Sequence, residues 1–136
     1  VDPPILHLDT ADAETNEVFL WHGTRSELLP TIREWGLDER VCSLDGLHGA
    51  GLYFASESCK AAQYAPPAAD GRRHLLYVRV LLGLSCYVRD PGSGGRPCDS
   101  VIANAGVANG GRQVHREFVV YDRRQAYPEF EVEIEC

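Results

Sequence analysis

Apolar residues in this chain come in short runs that glycine, proline or charge soon cuts off, so it can build many short strands but few helices. The runs at 18–21, 52–55, 100–103 and 118–121 have the length of buried strands, and 75–84, rich in Leu, Val and Tyr, is the strongest strand signal. At 127–134, Phe130, Val132 and Ile134 alternate with glutamates, the period of a strand with one buried face and one acidic, wet face. Helical spacing shows only early. Ser26 offers an N-cap, Leu28, Leu29, Ile32 and Trp35 recur at helical intervals, Pro30 falls where it costs least, and Gly36 supplies the stop. A second helix is expected over residues 56–64, ended by Pro66 and Pro67. The predicted class is α+β with mainly antiparallel pairing.

The 136 residues suit one domain with a real core. Residues 1–16, acidic and weakly patterned, read as an N-terminal lead-in, and 17–136 as the domain proper. Polar, glycine-bearing stretches at 38–51, 89–97 and 104–113 read as loops. There is no internal repeat. Thirteen Lys and Arg against twenty Asp and Glu give a net charge of −7, so a phosphate backbone is not the expected partner. Five cysteines, an odd number without a C-x-x-C pair, argue against a disulfide framework or structural zinc and for a reducing compartment. No apolar run reaches the roughly 18 residues of a membrane span, and no signal peptide is recognisable, so no membrane is expected. A Val at position 1 and no Met anywhere fit a monomeric domain cut from a longer intracellular chain, nuclear or cytoplasmic.

Three polar residues stand beside apolar runs: His22, Tyr53 and Glu117. Each alone has an ordinary explanation: a hydrogen-bonded structural histidine, a core tyrosine, a solvated glutamate. The glycines beside them shift the balance. Gly23 follows His22, and Gly49 and Gly51 precede Tyr53, so main chain can approach a flat ligand at both places without a Cβ in the way. Tyr64 adds a second ring on the next helix. Gly106, Gly110 and Gly111 match no phosphate-binding motif and read as a plain loop, and Cys59 reads as a small buried side chain.

The stretches "LWHGT", "GAGLYFA", "KAAQYA" and "REFVVYD…QAYPEFEVE" resemble, in order and approximate spacing, the catalytic domains of poly(ADP-ribose) polymerases and their mono(ADP-ribosyl)ating relatives. The resemblance runs from about Asn16 to Ile134. It implies the ADP-ribosyltransferase fold: mainly antiparallel, split β-sheets with a few short helices. It further implies NAD as co-substrate, no metal, and a His-Tyr-Glu triad at His22, Tyr53 and Glu117. By this likeness His22 bonds a ribose hydroxyl, the Gly23 backbone meets the nicotinamide carboxamide, and Thr24 lies near the adenosine ribose. Tyr53 and Tyr64 then sandwich the nicotinamide ring, and Glu117 holds the 2′-hydroxyl of its ribose. Lys60 matches a family lysine near the acceptor.

Ala61 departs from the family, standing where many members carry a serine that bonds the carboxamide. The helical regulatory domain of some members cannot fit in residues 1–16. The implied activity is transfer of ADP-ribose from NAD to an acceptor, taken to be protein, as single units or polymer. The alternative is a module of the same fold that binds NAD or ADP-ribose weakly or docks partners; loss of a triad residue would have favoured it. A kinship with tRNA 2′-phosphotransferases would call for an arginine-rich phosphate site, and the acidity of the chain argues against it.

Overall fold

A computed structural model of the chain describes residues 10–12, 16–38, 51–88, 99–103, 108–109, 112–113 and 116–135. The first described elements are two strands, β1 (Thr10–Asp12) and β2 (Glu17–Thr24), then a 3-10 turn (Ser26–Leu28) leads into α1 (Leu29–Trp35). Strand β3 (Leu52–Ala55), the short helix α2 (Ser58–Ala62) and the long β4 (Arg72–Leu81) follow. Next come β5 (Ser85–Val88), β6 (Ser100–Ala103), the small ribbon β7 (Ala108–Asn109) and β8 (Arg112–Gln113), then β9 (Glu117–Val120) and β10 (Ala126–Glu135). The expected loops at 38–51, 89–97 and 104–113 fall largely outside the described residues, Gly49, Gly106, Gly110 and Gly111 among them.

One eight-stranded sheet carries the fold, in the order β10-β4-β2-β3-β9-β6-β5, with β1 beside β2. Among the described residues every pair in it is antiparallel except β5 with β6. Strands β2 and β4 pair from Glu17↔Leu81 to Thr24↔His74, yet β2 and β3 are joined at the single pair Trp21↔Ala55. The sheet is therefore split in effect into two blocks.

Alternation sorts the side chains onto two faces. Val18, Leu20, Leu52, Phe54, Leu76, Val78, Phe118 and Val120 build the main core with Leu29, Leu37 and Ile32 of the α1 region. The opposite face packs Ala55 and Leu75 against Ala61 and Ala65 around α2, and Tyr53 and Tyr121 against Val101 and Val119.

Several expectations are corrected. Ser26 caps no helix: its hydroxyl turns to Glu27, and no side chain caps α1. Gly36 does stop α1, with φ at +79° and its N–H on the Ile32 carbonyl. Trp35, expected on the core stripe, is 74% exposed, because Leu29 and Ile32 already fill the face that meets the sheet. The helix expected over 56–64 shrinks to α2, and Tyr64 lies on the turn after it. Strand β4 runs from Arg72 to Leu81 rather than 75–84, since β10 pairs with it through Arg72 and β2 through His74. Glu117 lies inside β9, not before it. Cys59 is exposed at the start of α2, not buried.

Phe130, expected on a buried face, is exposed because β10 is an edge strand with a register shift between Pro128 and Phe130. Its glutamates do not form a bare acidic face: Arg33 binds Glu131, Arg72 binds Glu133 and Arg79 binds Glu129.

Phe118 is fully buried at the centre of the main core. Phe118→Ala is expected to lower unfolding free energy by about 3–5 kcal/mol, read as a shifted urea midpoint at unchanged m-value.

Candidate active site

Past Trp21, strand β2 has β4 on one side, while among the described residues no strand pairs with 22–24 on the other. Helix α2 packs on the face of the sheet here, against Gly23 and Leu75. A Cβ placed on Gly23 would overlap the Ala61 carbonyl oxygen, so the approach of α2 to β2 depends on glycine for closeness rather than for an unusual φ. On the Cβ side of Gly23 the close approach that the sequence assigned to a flat ligand is made by the protein's own helix.

His22 sits at the seam between the two sheet blocks. Its Nδ1 lies 2.8 Å from the Tyr53 carbonyl, which can only accept, so Nδ1 carries the proton and the neutral ring presents Nε2 as an acceptor. Burial pushes the imidazole below its ordinary value, the Tyr53 carbonyl opposing, so the neutral form prevails at pH 7. The ring also rests 5.5 Å from that of Phe54.

Across the seam, on the α2 face, Glu117 is buried at the start of β9. Its Oε1 accepts a 2.8 Å hydrogen bond from the Tyr64 hydroxyl and lies 3.7 Å from the Lys60 ammonium. A buried carboxylate requires such partners. Lys60 also stands 5.5 Å from the centre of the Tyr64 ring. Burial, then the bond to Glu117, its charge and the neighbouring Tyr53 push the Tyr64 phenol up to about 12, which keeps it a donor at neutral pH. Even so, Tyr64 is 56% exposed, leaving much of its surface open to a ligand. Tyr121, its phenol raised by burial and then by Tyr53, extends the cluster.

The structure thus gathers Tyr53, Lys60, Tyr64 and Glu117 on one side of the seam, with His22 joined to the Tyr53 backbone. Thr24 is buried and its hydroxyl donates to the Arg25 carbonyl, not to this group. Two neighbours escaped the sequence reading. Tyr121 lay within a quoted motif, but Arg73, which binds the Ala62 and Ala65 carbonyls, gave no signal in spacing or type. A cleft of about 840 Å³ between α1 and β10, lined by Trp35, Leu37, Tyr127 and Phe130, includes none of the expected site residues. Among the described residues no three His, Cys, Asp or Glu side chains are grouped to hold a metal, and no helix is long and apolar enough to cross a membrane.

Residues 7–91 match the family model for the poly(ADP-ribose) polymerase catalytic domain. The chain belongs to the poly(ADP-ribose) polymerase catalytic domain family. It is 30% identical over 138 residues to human protein mono-ADP-ribosyltransferase PARP14, covering 90% of this chain and 7% of that protein. It is 28% identical over 130 residues to mouse protein mono-ADP-ribosyltransferase PARP12, covering 86% and 17%. The poly [ADP-ribose] polymerase tankyrase of Caenorhabditis elegans matches over 73 residues at 33% identity, covering 52% and 3%. The chain therefore spans less than a fifth of the length of these relatives. The poly(ADP-ribose) polymerase match covers His22, Gly23, Thr24, Tyr53, Lys60 and Tyr64, while Glu117 falls beyond it.

Gly23→Ala adds one methyl, yet the methyl meets main chain that cannot rotate away. It is expected to destabilise the domain by about 1–3 kcal/mol in urea unfolding.

His22 gives a pH prediction. Its folded pKa lies below the unfolded 6.5, so its stabilising contribution is complete above pH 6.5 and is lost as pH falls through the folded value. Urea unfolding from pH 8 to pH 5 should show declining stability, and His22→Gln should flatten the slope.

Proposed function

We propose that this domain is an NAD-dependent ADP-ribosyltransferase that breaks the nicotinamide–ribose bond of NAD and joins ADP-ribose to a protein acceptor. The observation that carries the reading is the Glu117 carboxylate held by Tyr64 and Lys60 at the seam where His22 offers a neutral imidazole. The donor set suits a nicotinamide riboside. An open phenol ring at Tyr64 beside Tyr53 fits a flat aromatic cation. Nε2 of His22 accepts from a ribose hydroxyl, and Glu117 accepts from the 2′-hydroxyl of the nicotinamide ribose.

Each of these groups has a physical part to play. As the bond from C1′ to the pyridinium nitrogen lengthens, positive charge grows on C1′ and the ring oxygen. A carboxylate on the 2′-hydroxyl then binds the oxocarbenium-like state more tightly than the ground state. The bonding pair leaves with nicotinamide, whose ring becomes neutral, so no proton has to be delivered to the leaving group. The acceptor's lone pair closes the new bond at C1′, and the acceptor proton passes to solvent. Tyr64 serves twice, as a wall for the ring and as the donor that aims Glu117. Ala61 provides no hydroxyl, so carboxamide recognition falls to the main chain around Gly23.

Transfer to protein as single units is the form supported by the names of the relatives aligned over most of the chain, both called protein mono-ADP-ribosyltransferases. Glu117 keeps the carboxylate that chain elongation would use, so the products decide: one mass increment per acceptor site for single units, a ladder for polymer.

In the purified domain supplied with NAD and an acceptor protein, Glu117→Gln is expected to lower nicotinamide release by about 10²–10³-fold, the scale of removing one transition-state contact. Equal release by wild type and variant, or none from the folded wild type, would overturn the proposal.

A further inference from the structure

The segment that carries Tyr64 has little stability of its own. Helix α2 has five residues, well short of the roughly 12–15 at which an isolated helix becomes even marginal in water. Tyr64 lies beyond its last turn. Main-chain bonds within the segment are local: Gln63 N–H to the Lys60 carbonyl, Tyr64 N–H to Ala61 and Ala65 N–H to Ala62. Packing of Ala61 and Ala65 on Leu75 holds its inner side. None of these contacts fixes where the Tyr64 ring stands.

Arg73 supplies an anchor from outside. It lies on β4, where it pairs with Ile134 of β10, one residue beyond the last β2–β4 pair, Thr24↔His74. Its Nη1 donates to the carbonyls of Ala62, at 3.1 Å, and Ala65, at 2.9 Å. These two carbonyls bracket residues 63 and 64. A guanidinium is planar and always charged, so two bonds from one such group define direction as well as distance. Through them the turn inherits the rigidity of the sheet.

We propose that Arg73 is a positioning residue that sets the Tyr64 ring in place and thereby keeps the Tyr64 hydroxyl on Glu117, an inference that rests on the reading of Tyr64 and Glu117 as the nicotinamide-ribose site. Arg73 acts through main-chain carbonyls rather than on the substrate. Its loss loosens the wall against which the nicotinamide ring stacks, so it weakens binding more than it slows bond breaking.

The test uses two independent readouts on the folded domain. The first is the carbon-13 signal of Tyr64 Cζ at pH 8 in protein labelled with ζ-carbon-13 tyrosine, assigned by its disappearance in Tyr64→Phe. The second is steady-state nicotinamide release over a range of NAD concentrations. In Arg73→Gln the Tyr64 signal is expected to move toward that of a solvated tyrosine, and KM for NAD to rise about 5- to 10-fold with kcat changed less than about twofold. Arg73→Lys, one atom short of Nη1 yet able to donate, is expected to fall between. A folded Arg73→Gln with an unmoved Tyr64 signal and unchanged KM would overturn the inference while leaving the transferase reading intact. If Arg73→Gln does not fold, wild-type values in Arg73→Lys would overturn it equally. Should the folded wild type release no nicotinamide, the transferase reading falls, and the Tyr64 signal alone decides whether Arg73 positions the ring.

Discussion

The distance between α2 and β2 governs the rest of the site, and the missing side chain at Gly23 sets it. With hydrogen in place of a Cβ, the Ala61 carbonyl can rest on the strand, and Ala61 and Ala65 can pack on Leu75. Lys60 and Tyr64, on the same short helix and its following turn, then reach Glu117 on β9. One residue farther out, α2 would carry both side chains away from the carboxylate.

A buried carboxylate is costly unless it is paired, and Glu117 has a phenol hydroxyl bonded to it and an ammonium 3.7 Å away. The Tyr64 ring that carries the hydroxyl is more than half exposed, so the group that aims the carboxylate also faces the approach of a ligand.

Much of this was readable in the sequence. Runs of Val, Leu, Ile and Phe gave the strands at 52–55 and 100–103 with their observed bounds, because those strands are buried on both faces and nearly every residue in them is apolar. Motif spacing singled out Tyr53, Tyr64 and Glu117, which the structure brings together, and His22, which bonds the Tyr53 main chain. What escaped was decided by neighbours distant in sequence. Trp35 and Phe130 look like core residues by periodicity, yet α1 spends its buried face on Leu29 and Ile32, and no strand pairs with the outer edge of β10 among the described residues. Arg73 looks like any charged residue at a strand start. Only the arrival of the Ala62 and Ala65 carbonyls gives it a specific partner.

The place of β9 between β3 and β6 bears on how the domain comes to be folded. Its residues emerge from the ribosome long after 52–55 and after 100–103, yet it must enter between those strands and pair with both. Such insertion closes long chain loops before any contact rewards them, which slows folding in chains dominated by non-local pairing. Until it happens, the β3 edge that carries Leu52 and Phe54 lies open to pairing with other chains. The strand that brings Glu117 is thus also the closing piece of the sheet, so the carboxylate reaches its partners only when the nascent fold has protected its most adhesive edge.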